Sequence, residues 1–282
     1  MVERMKTLVG LCLFFFIASS TFAADWKLIW SDEFDQPGLP DPAKWSYETG
    51  FVRNHEAQYY TSDRKENARV EDGMLIIEAR KEQFKNPTFD SAAKNTNDWN
   101  HSREFATYTS ASLTTCGKAS WTYGRIEVRA KLPAGRGVWP AIWTLGTNIT
   151  KVDWPACGEM DIMEMVGFQP DMIYAHVHLL DPKSAKHIGP GAGIKIPGAS
   201  DSFHTYAVEW DFDHADFFVD GKKYFAYRKD EAGPGEWPFD KAQYLILNLA
   251  IGGAWGGAKG TDDGIFPQRF YIDYVRVYQK EP

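Results

Sequence analysis

Three carboxylates lie close together in the stretch GEMDIMEMVG near the middle of the chain. They are Glu159, Asp161 and Glu164. In a β-strand, Glu159 and Asp161 share one face, whereas strict alternation would turn Glu164 to the opposite, apolar face. A buried, unpaired carboxylate costs free energy, and one inserted residue would turn Glu164 back to the face of Glu159. The sequence therefore predicts a β-bulge near Ile162 and Met163.

Such crowding of carboxylates suits acid–base chemistry. Like charges at close range raise the pKa of one group, which then holds a proton near neutral pH while another group stays ionised. Cleavage of a glycosidic bond uses one acid for the leaving oxygen and one carboxylate for the anomeric carbon, and a separation of about 5–5.5 Å between them indicates a retaining double displacement. From the pattern alone, a solvated acidic strand face and a Ca²⁺ site stay open as alternatives.

The segments that would position these carboxylates read as β-strands. Seven runs show alternating or continuous apolar patterns, and no segment shows a long 3.6-residue period. Many short strands separated by glycine and proline predict an all-β sandwich or barrel, with at most short helical turns. The predicted strands are residues 73–79, 124–130, 206–210, 215–219, 223–227, 245–251 and 271–278.

Two connections between these runs carry further predictions. Asp220 and Gly221 lie between two strand-like runs and are typical of a hairpin turn. Residues 86–104 are polar and unpatterned, and they are predicted to form a long loop. A loop of that length in a compact domain is often functional.

Composition and charge exclude several classes of protein. The 282 residues are 44% hydrophobic, which is enough for one domain with a sizeable core. The formal net charge of −7 and the lack of a basic run argue against nucleic acid and anionic membranes as partners. Aromatic residues reach 15% of the chain and include 11 tryptophans, which indicates either a thick core or a surface that stacks on flat ligands.

The first 23 residues have the pattern of an export signal. Two basic residues precede an apolar run, and the small residues Thr21 and Ala23 fit the rule for cleavage after Ala23. The apolar run is too short for a good transmembrane span, although a membrane anchor is the alternative. We expect a signal peptide at residues 1–23, a single domain at 24–282, and a protein secreted to the extracellular or periplasmic space, with no membrane contact after cleavage.

Two cysteines follow the predicted signal peptide. An oxidising compartment permits a disulfide between Cys116 and Cys157. A domain of this size does not need one, so a bonded pair and two free thiols both stay open.

The stretch WPACGEMDIMEMVG at residues 154–167 resembles the signature of glycoside hydrolase family 16 in its bulged form, which is typical of laminarinases (endo-1,3-β-glucanases). Ordered matches cover nearly the whole chain after residue 23. They are WSDEF at 30–34, NHEAQYY at 54–60, YGRIEVRAKLP at 123–133, GVWPAIW at 137–143, LNLAIGG at 247–253 and YIDYVRVY at 271–278. The resemblance implies that residues 24–282 form one catalytic domain, a concanavalin-like jelly-roll sandwich of two curved antiparallel sheets with a concave substrate cleft.

The resemblance also implies roles for the three carboxylates. Glu159 would be the nucleophile and Glu164 the acid/base. Asp161, between them, would hydrogen-bond the nucleophile and help to set the order of protonation. No cofactor is expected for catalysis.

Five residues are expected to bind sugar, namely Asn54, Trp139, Trp143, His178 and Trp255. Asn54 matches a family position that hydrogen-bonds sugar hydroxyls. Trp139 and Trp143 are four residues apart on a predicted strand and thus share a face, which favours stacking on sugar rings, with a place in the core as the alternative. Trp255 lies in a glycine-rich loop that permits close approach of a ligand.

A histidine pair follows the carboxylates on the next predicted strand. His178 matches the family histidine near the acid/base and the leaving group. Read without the family, His176 and His178 form half of a metal site, for which the sequence offers no third ligand at fixed spacing.

The resemblance implies one structural calcium ion away from the cleft. The matching ligands are the backbone oxygens of Glu33 and Gly73 and the carboxylate of Asp273, and such hard oxygen ligands suit Ca²⁺. A salt bridge between Asp273 and Arg276 or another base is the alternative.

Together these features predict a secreted, retaining endo-β-glucanase that acts as a monomer on β-1,3- or mixed-linkage β-1,3-1,4-glucans. The polar insert at 86–104 departs from the compact loops of the simplest family members and leaves the exact polysaccharide open. An agarase or carrageenase of the same family is one alternative, against which the negative net charge argues. A lectin-like glucan-binding sandwich is another, but a binding module has no reason to crowd three carboxylates.

Overall fold

The computed structural model describes residues 26–181, 184–232 and 237–281, so the predicted signal peptide at 1–23 lies outside the described residues. Almost all regular structure in the described part is β. The strands are β1 (Trp26–Asp32), β2 (Ser46–Glu48), β3 (Gln58–Tyr60), β4 (Ala68–Glu71), β5 (Met74–Lys85), β6 (Phe105–Ser110), β7 (Ser112–Thr114), β8 (Gly124–Lys131), β9 (Val138–Gly146), β10 (Glu159–Glu164), β11 (Met172–Leu180), β12 (His187–Ile188), β13 (Gly191–Lys195), β14 (His204–Trp210), β15 (His214–Val219), β16 (Lys222–Arg228), β17 (Gln243–Ile251) and β18 (Gln268–Lys280).

Helical structure in the described residues is confined to single turns. The α-helices are α1 (Trp99–Ser102), α2 (Ile149–Val152) and α3 (Lys229–Ala232), and the 3-10 turns are Ser91–Asn95, Pro238–Asp240 and Asp263–Ile265. No helix in this part of the chain is long and apolar enough to cross a membrane.

The strands form two sheets, as the all-β prediction requires. One has ten strands in the order β16-β15-β14-β8-β18-β5-β6-β3, with β1 beside β18 and β4 beside β5. The other has eight strands in the order β12-β11-β10-β9-β17-β7-β2, with β13 beside β11. Pairing is antiparallel except between β3 and β6, which run parallel. The predicted jelly-roll sandwich is confirmed, with this one parallel pair as an exception.

All seven predicted strands are present, and the predicted hairpin is confirmed. Asp220 and Gly221 connect β15 to β16 with φ angles of 50° and 74°. Two consecutive positive φ angles are the geometry of the turn that matches the twist of a two-residue hairpin. Burial follows the alternation along β8, where Ile126 and Val128 are fully buried and Glu127 between them is partly exposed.

The main core lies between the two sheets and contains the apolar faces of both. β17 is buried along its whole length, as its continuous apolar run predicts. Leu245 and Leu247 point into the main core, whereas Tyr244 and Ile246 join a smaller apolar cluster on the other face of the eight-stranded sheet. That second cluster, which includes Trp143, forms part of the floor of the cleft described below.

Two other regions refine the sequence predictions. Residues 86–104 contain a 3-10 turn and α1, so the predicted loop is a folded insert. Cys116 is exposed and Cys157 is buried, and both are free thiols, as in the unbonded alternative.

Candidate active site

The bulge predicted in β10 is present. Asp161 pairs with Trp143 of β9 and Met163 pairs with the next residue, Ile142, so the strand has one extra residue at this point. The same irregularity occurs against β11, between Asp161 and Glu164. Ile162 and Met163 are both fully buried in the main core as a result. The bulge turns Glu164 to the cleft side, where it lines the same cavity as the other two carboxylates.

Each of the two glutamates accepts a hydrogen bond from an indole N–H. Trp154 Nε1 donates to Glu159 Oε2 at 2.7 Å, and Trp139 Nε1 donates to Glu164 Oε1 at 3.0 Å. His176 Nδ1 lies 3.0 Å from the other oxygen of Glu164. These contacts fix the rotamers of both carboxyl groups before any substrate is bound.

The electrostatics of the site arise from burial and like charge. Burial raises the pKa of Glu159 well above its usual range, and the charges of Asp161 and Glu164 add to this, while His178 opposes it. Burial and the charge of Glu164 also raise the pKa of Asp161 well above its usual range. Oxygen atoms of Glu159 and Asp161 lie within 4.8 Å of each other, so one proton held by the pair relieves their repulsion. The pair therefore retains a proton at a pH where ordinary carboxylic acids have lost theirs.

The carboxylates lie in a cleft of about 760 Å³ on the eight-stranded sheet. Every residue that the sequence predicted for sugar binding lines it, together with the three carboxylates. These residues are Asn54, Trp139, Trp143, His178 and Trp255. The structure thus brings together residues that are up to 201 positions apart in the chain, from Asn54 to Trp255.

Trp139 and Trp143 share a face of β9, as predicted, but their surroundings differ. Trp139 is partly exposed and lies edge-to-face with Trp255 at a ring distance of 5.7 Å. Trp143 is only 7% exposed, donates its N–H to Asn248 at 2.7 Å, and has the guanidinium of Arg53 4.8 Å above its ring. Trp143 therefore lies in the floor of the cleft with one ring face covered by Arg53, which is close to the alternative of a core residue. Trp139, in contrast, is available to a ligand.

The position of His178 differs from the expectation. His178 Nε2 lies 3.1 Å from Asp161 and 3.9 Å from Glu159, and the histidine beside Glu164, the expected acid/base, is His176. The reason is the antiparallel register, in which Glu159 pairs with His178 and Asp161 pairs with His176. Residues early in β10 lie opposite residues late in β11, so His178 is on the side of Glu159.

The structure places each of the two histidines, separately, beside carboxylates that could share a metal ion with it. Among the described residues, two groups bring three ligand atoms within 4.8 Å of one another. They are Glu159, Asp161 and His178, and Asp161, Glu164 and His176. Both groups consist of the carboxylates described above with one neighbouring histidine, so a bound metal would occupy the atoms needed for acid–base chemistry.

The glycines around Trp255 serve a packing role in addition to the one predicted. A Cβ at Gly253 would lie 2.9 Å from the side chain of Glu56, and one at Gly256 would lie 2.8 Å from Trp139. The absence of side chains lets the loop that carries Trp255 close against its neighbours in the cleft wall.

Several lining residues were not identified from the sequence. Trp154 is 47% exposed beside Glu159, and its ring lies 4.6 Å from that of His187. Nε2 of His187 lies 2.8 Å from Nδ1 of His178. The acidic residues Glu48 and Glu56 also line the cleft. Trp154 stands in the quoted signature next to the carboxylates, and this proximity was the one available signal.

The predicted calcium ligands lie on the ten-stranded sheet, away from the cleft. β18 pairs Ile272 with Leu75 and Val275 with Asp32, which places Asp273 near both Gly73 and Glu33. The carboxylate of Asp273 is paired with Arg129. Side-chain pairing therefore matches the salt-bridge alternative, with Arg129 as the base.

The comparisons with known proteins agree with this site. The sequence profile described as "Glycosyl hydrolases family 16" matches residues 55–276. A β-glucanase from Rhodothermus marinus is 47% identical over 269 residues, which cover 91% of this chain and 86% of that protein.

Two solved structures are similar in fold and sequence. The X-ray structure of the laminarinase from Rhodothermus marinus has a TM-score of 0.79 at 45% identity and covers 91% of this chain and 98% of that one. SCLam, a non-specific endo-β-1,3(4)-glucanase, was co-crystallised as a mutant with 1,3-β-D-cellotriosyl-glucose. It has a TM-score of 0.78 at 42% identity and covers 92% of this chain and 96% of that one.

Proposed function

Because the chain belongs to glycosyl hydrolases family 16, we propose that it is a laminarinase-like endo-1,3(4)-β-glucanase that works by a retaining double displacement. The observation that carries the proposal is the bulge of β10, which turns Glu164 to the cleft face beside Glu159 and Asp161. A glycoside hydrolase needs both a nucleophile and an acid in one cleft. Relatives that hydrolyse β-glucans support the choice of substrate.

In the first step, Glu159 attacks the anomeric carbon while Glu164 donates a proton to the leaving glycosidic oxygen. The N–H of Trp154 holds the Glu159 carboxylate, and Trp139 and His176 hold the Glu164 carboxyl. The products are a glycosyl ester on Glu159 and a released chain with a new hydroxyl group.

In the second step, Glu164 removes a proton from water, and the water oxygen attacks the same carbon. The ester bond to Glu159 breaks, which returns both carboxyl groups to their starting states. During both steps, Asp161 is best placed to hold the proton shared with Glu159, because Glu159 must be a carboxylate to attack. Burial and like charge raise the pKa of both Glu159 and Asp161, so the pair holds a proton, and the need for an ionised nucleophile assigns that proton to Asp161.

The cleft chemistry disfavours a sulfated galactan as substrate. Arg53 is the one lysine or arginine among the described residues that line the cleft, and it is ion-paired with Glu48. The five carboxylic acids of the lining are Glu48, Glu56, Glu159, Asp161 and Glu164. A sulfate group would meet repulsion here without a free cation to bind it.

The test is reducing-sugar release from laminarin, mixed-linkage β-1,3-1,4-glucan, agarose and carrageenan under identical conditions. We expect turnover of the first two polysaccharides and none of the other two. Hydrolysis confined to agarose or carrageenan would overturn the choice of substrate. Glucan binding with no hydrolysis of any polysaccharide would favour the lectin-like alternative.

We also propose that the protein is exported with cleavage after Ala23 and acts as a monomer. The support is the pattern of the first 23 residues and the completeness of the carboxylate site within one chain. N-terminal sequencing of the exported protein tests the first proposal, with Ala24 expected as the first residue. Light scattering coupled to size exclusion tests the second, and the mass of a dimer would contradict it.

Structural calcium stays a separate proposal. The residues do not form a ready-made site, because the carboxylate of Asp273, the one side-chain ligand of the predicted set, is paired with Arg129. To bind calcium, the carboxylate of Asp273 would have to release the guanidinium of Arg129. The test is the melting temperature with calcium and with EDTA, for the unaltered protein and for Asp273→Asn. A calcium-dependent rise that Asp273→Asn abolishes would support the ion.

A further inference from the structure

One loop of the cleft rim has a strained backbone. Residues 53–56, called the rim loop from here on, contribute Arg53, Asn54 and Glu56 to the cleft lining. Asn54 and His55 have φ angles of 55° and 53°, in the left-handed region that side chains other than glycine rarely occupy. Such a conformation persists only when neighbouring structure holds it.

The insert at residues 86–104 donates hydrogen bonds to the backbone at both ends of the rim loop. Asn100 Nδ2 donates to the carbonyl oxygen of Phe51 at 2.6 Å, just before the rim loop. Arg103 Nη1 donates to the carbonyl oxygen of Glu56 at 3.0 Å, at its other end. Both acceptors are backbone atoms, so these contacts restrain the path of the chain itself.

Aromatic contacts add to the hydrogen bonds. The ring of Trp99 lies 4.7 Å from that of His55 and 6.2 Å from that of Phe51. The guanidinium of Arg103 lies 4.9 Å from the centre of the Phe51 ring and 5.4 Å from that of Trp99. Trp99 and Arg103 together cover the outer side of the rim loop.

The insert is itself well fastened, which a brace requires. The N–H of Asn86 donates to the carbonyl oxygen of Glu104 at 2.9 Å and closes the base of the insert. The buried side chain of Asn86 donates to the carbonyl oxygens of Asn100 and Arg103 at 3.2 and 3.0 Å. Asp98 accepts a hydrogen bond from the backbone N–H of His101 and caps α1.

The insert acts from outside the cleft. Among the described residues, none between 86 and 104 lines the cavity. The rim loop in turn holds the next wall segment, because the carbonyl oxygen of Asn54 accepts a hydrogen bond at 3.0 Å from the N–H of Ala254, next to Trp255. The side chains of the rim loop form hydrogen bonds with one another, with Glu48 and with Gln58. Within the described residues, no hydrogen bond connects the loop to Glu159 or Glu164.

We propose that the insert is a brace that sets the affinity for an extended β-glucan chain by fixing the rim loop, with Trp99, Asn100 and Arg103 as positioning residues. This inference rests on the proposed function. Because the rim loop carries groups that bind the chain and none that bond the reacting glutamates, loss of the brace raises KM and leaves kcat nearly unchanged.

The experiment compares kcat and KM on laminarin for the unaltered protein and three variants. Trp99→Ala should raise KM about 5- to 10-fold with kcat within about 2-fold. Trp99→Phe, which keeps a ring against His55, should restore most of the affinity. Lys94→Ala is the matched control within the insert, because Lys94 lies over Phe89 at 5.2 Å and its replacement should leave KM unchanged.

The outcomes separate this inference from the function itself. An inactive unaltered protein refutes the proposed function. If the unaltered protein is active and Trp99→Ala leaves KM the same, the brace is refuted and the proposed function stands. A fall in kcat of the size expected for KM, with no change in KM, also refutes the brace alone. If Trp99→Ala does not fold, Asn100→Ala decides the matter, since it removes one hydrogen bond to Phe51 without opening a cavity, and an unchanged KM there overturns the proposal.

Discussion

Two groups of buried carboxylates, one on each sheet, have opposite electrostatic surroundings. On the ten-stranded sheet, the nearly fully buried Glu78 is ion-paired with three arginines, Arg69, Arg80 and Arg269. Burial raises the pKa of Glu78, but the hydrogen bonds and charges of Arg269 and Arg69 outweigh this and hold it below the usual range. Here each charge has partners of opposite sign.

In the cleft, Glu159, Asp161 and Glu164 have no lysine or arginine at ion-pair distance among the described residues, and the basic side chains within 4 Å of them are the histidines of β11. Burial and like charge raise the pKa of Glu159 and Asp161 well above the usual range. The same fold thus neutralises buried acids where they are structural and leaves them crowded where chemistry needs a retained proton. The predictions below test this contrast by replacing a carboxylate in the cleft or on the ten-stranded sheet.

Removing the nucleophile should have the largest effect. Glu159→Gln keeps the shape of the side chain but cannot form the glycosyl ester, so laminarin turnover should fall about 10⁴-fold or more. Calorimetric titration with a glucan oligosaccharide should still show binding. Turnover within tenfold of that of the unaltered protein would contradict the role of Glu159 as nucleophile.

Replacing the acid should cost less and should depend on the substrate. Glu164→Gln should slow laminarin hydrolysis by about 10²- to 10⁴-fold, the usual range for a lost general acid. An aryl β-glucoside with a good leaving group needs little protonation, so its first step should be affected much less. Equal losses on both substrates would contradict the assignment of Glu164.

The contrast between the sheets could be predicted only in part from the sequence. The bulge in β10 followed from the phase of apolar and charged residues, since Glu164 would otherwise be buried unpaired. The alternating strands and the Asp220-Gly221 turn are local signals, and local signals sufficed for most of the sandwich.

Contacts between distant segments could not be predicted in this way. Two such contacts are the guanidinium of Arg53 above the ring of Trp143 and the hydrogen bond from the N–H of Trp154 to Glu159. Both depend on loop conformations, which the periodicity of a sequence does not indicate. The side of the site on which His178 lies depends on the register of β10 against β11. Parallel pairing of β3 with β6 likewise needs long-range topology.

Asp161→Asn should separate activity from stability. A carboxyl whose folded pKa is raised is costly once the pH exceeds its unfolded pKa of about 3.9, so the neutral amide removes that cost at pH 7. The melting temperature at pH 7 should rise by roughly 2 °C or more, while turnover falls about 10²-fold. Calorimetry at pH 4 and pH 7 checks the sign, because the gain should shrink at the lower pH. A loss of stability at pH 7 would contradict the conclusion that burial and like charge make the Asp161 carboxylate costly.

The matching change on the other sheet should leave chemistry intact. Glu78→Gln removes the partner of three arginines and should lower stability at pH 7 by about 2–4 kcal/mol, with kcat and KM unchanged. Because the folded pKa of Glu78 is lowered, its contribution is present above an unfolded pKa of about 4.3 and is lost as the pH falls through the folded value. Urea unfolding at pH 7 and pH 3 measures this, and a deficit that persists in acid would argue against the ion pairs as its source.

The central claim is that crowded carboxylates on the bulged strand perform a double displacement with Glu159 as nucleophile. Proton NMR of the anomeric signals during the first turnovers of a β-1,3-glucan oligosaccharide tests it most directly. Retention predicts that the β-anomer of the new reducing end appears first and the α-anomer grows in later by mutarotation. Initial appearance of the α-anomer would show inversion and would contradict the nucleophilic role of Glu159.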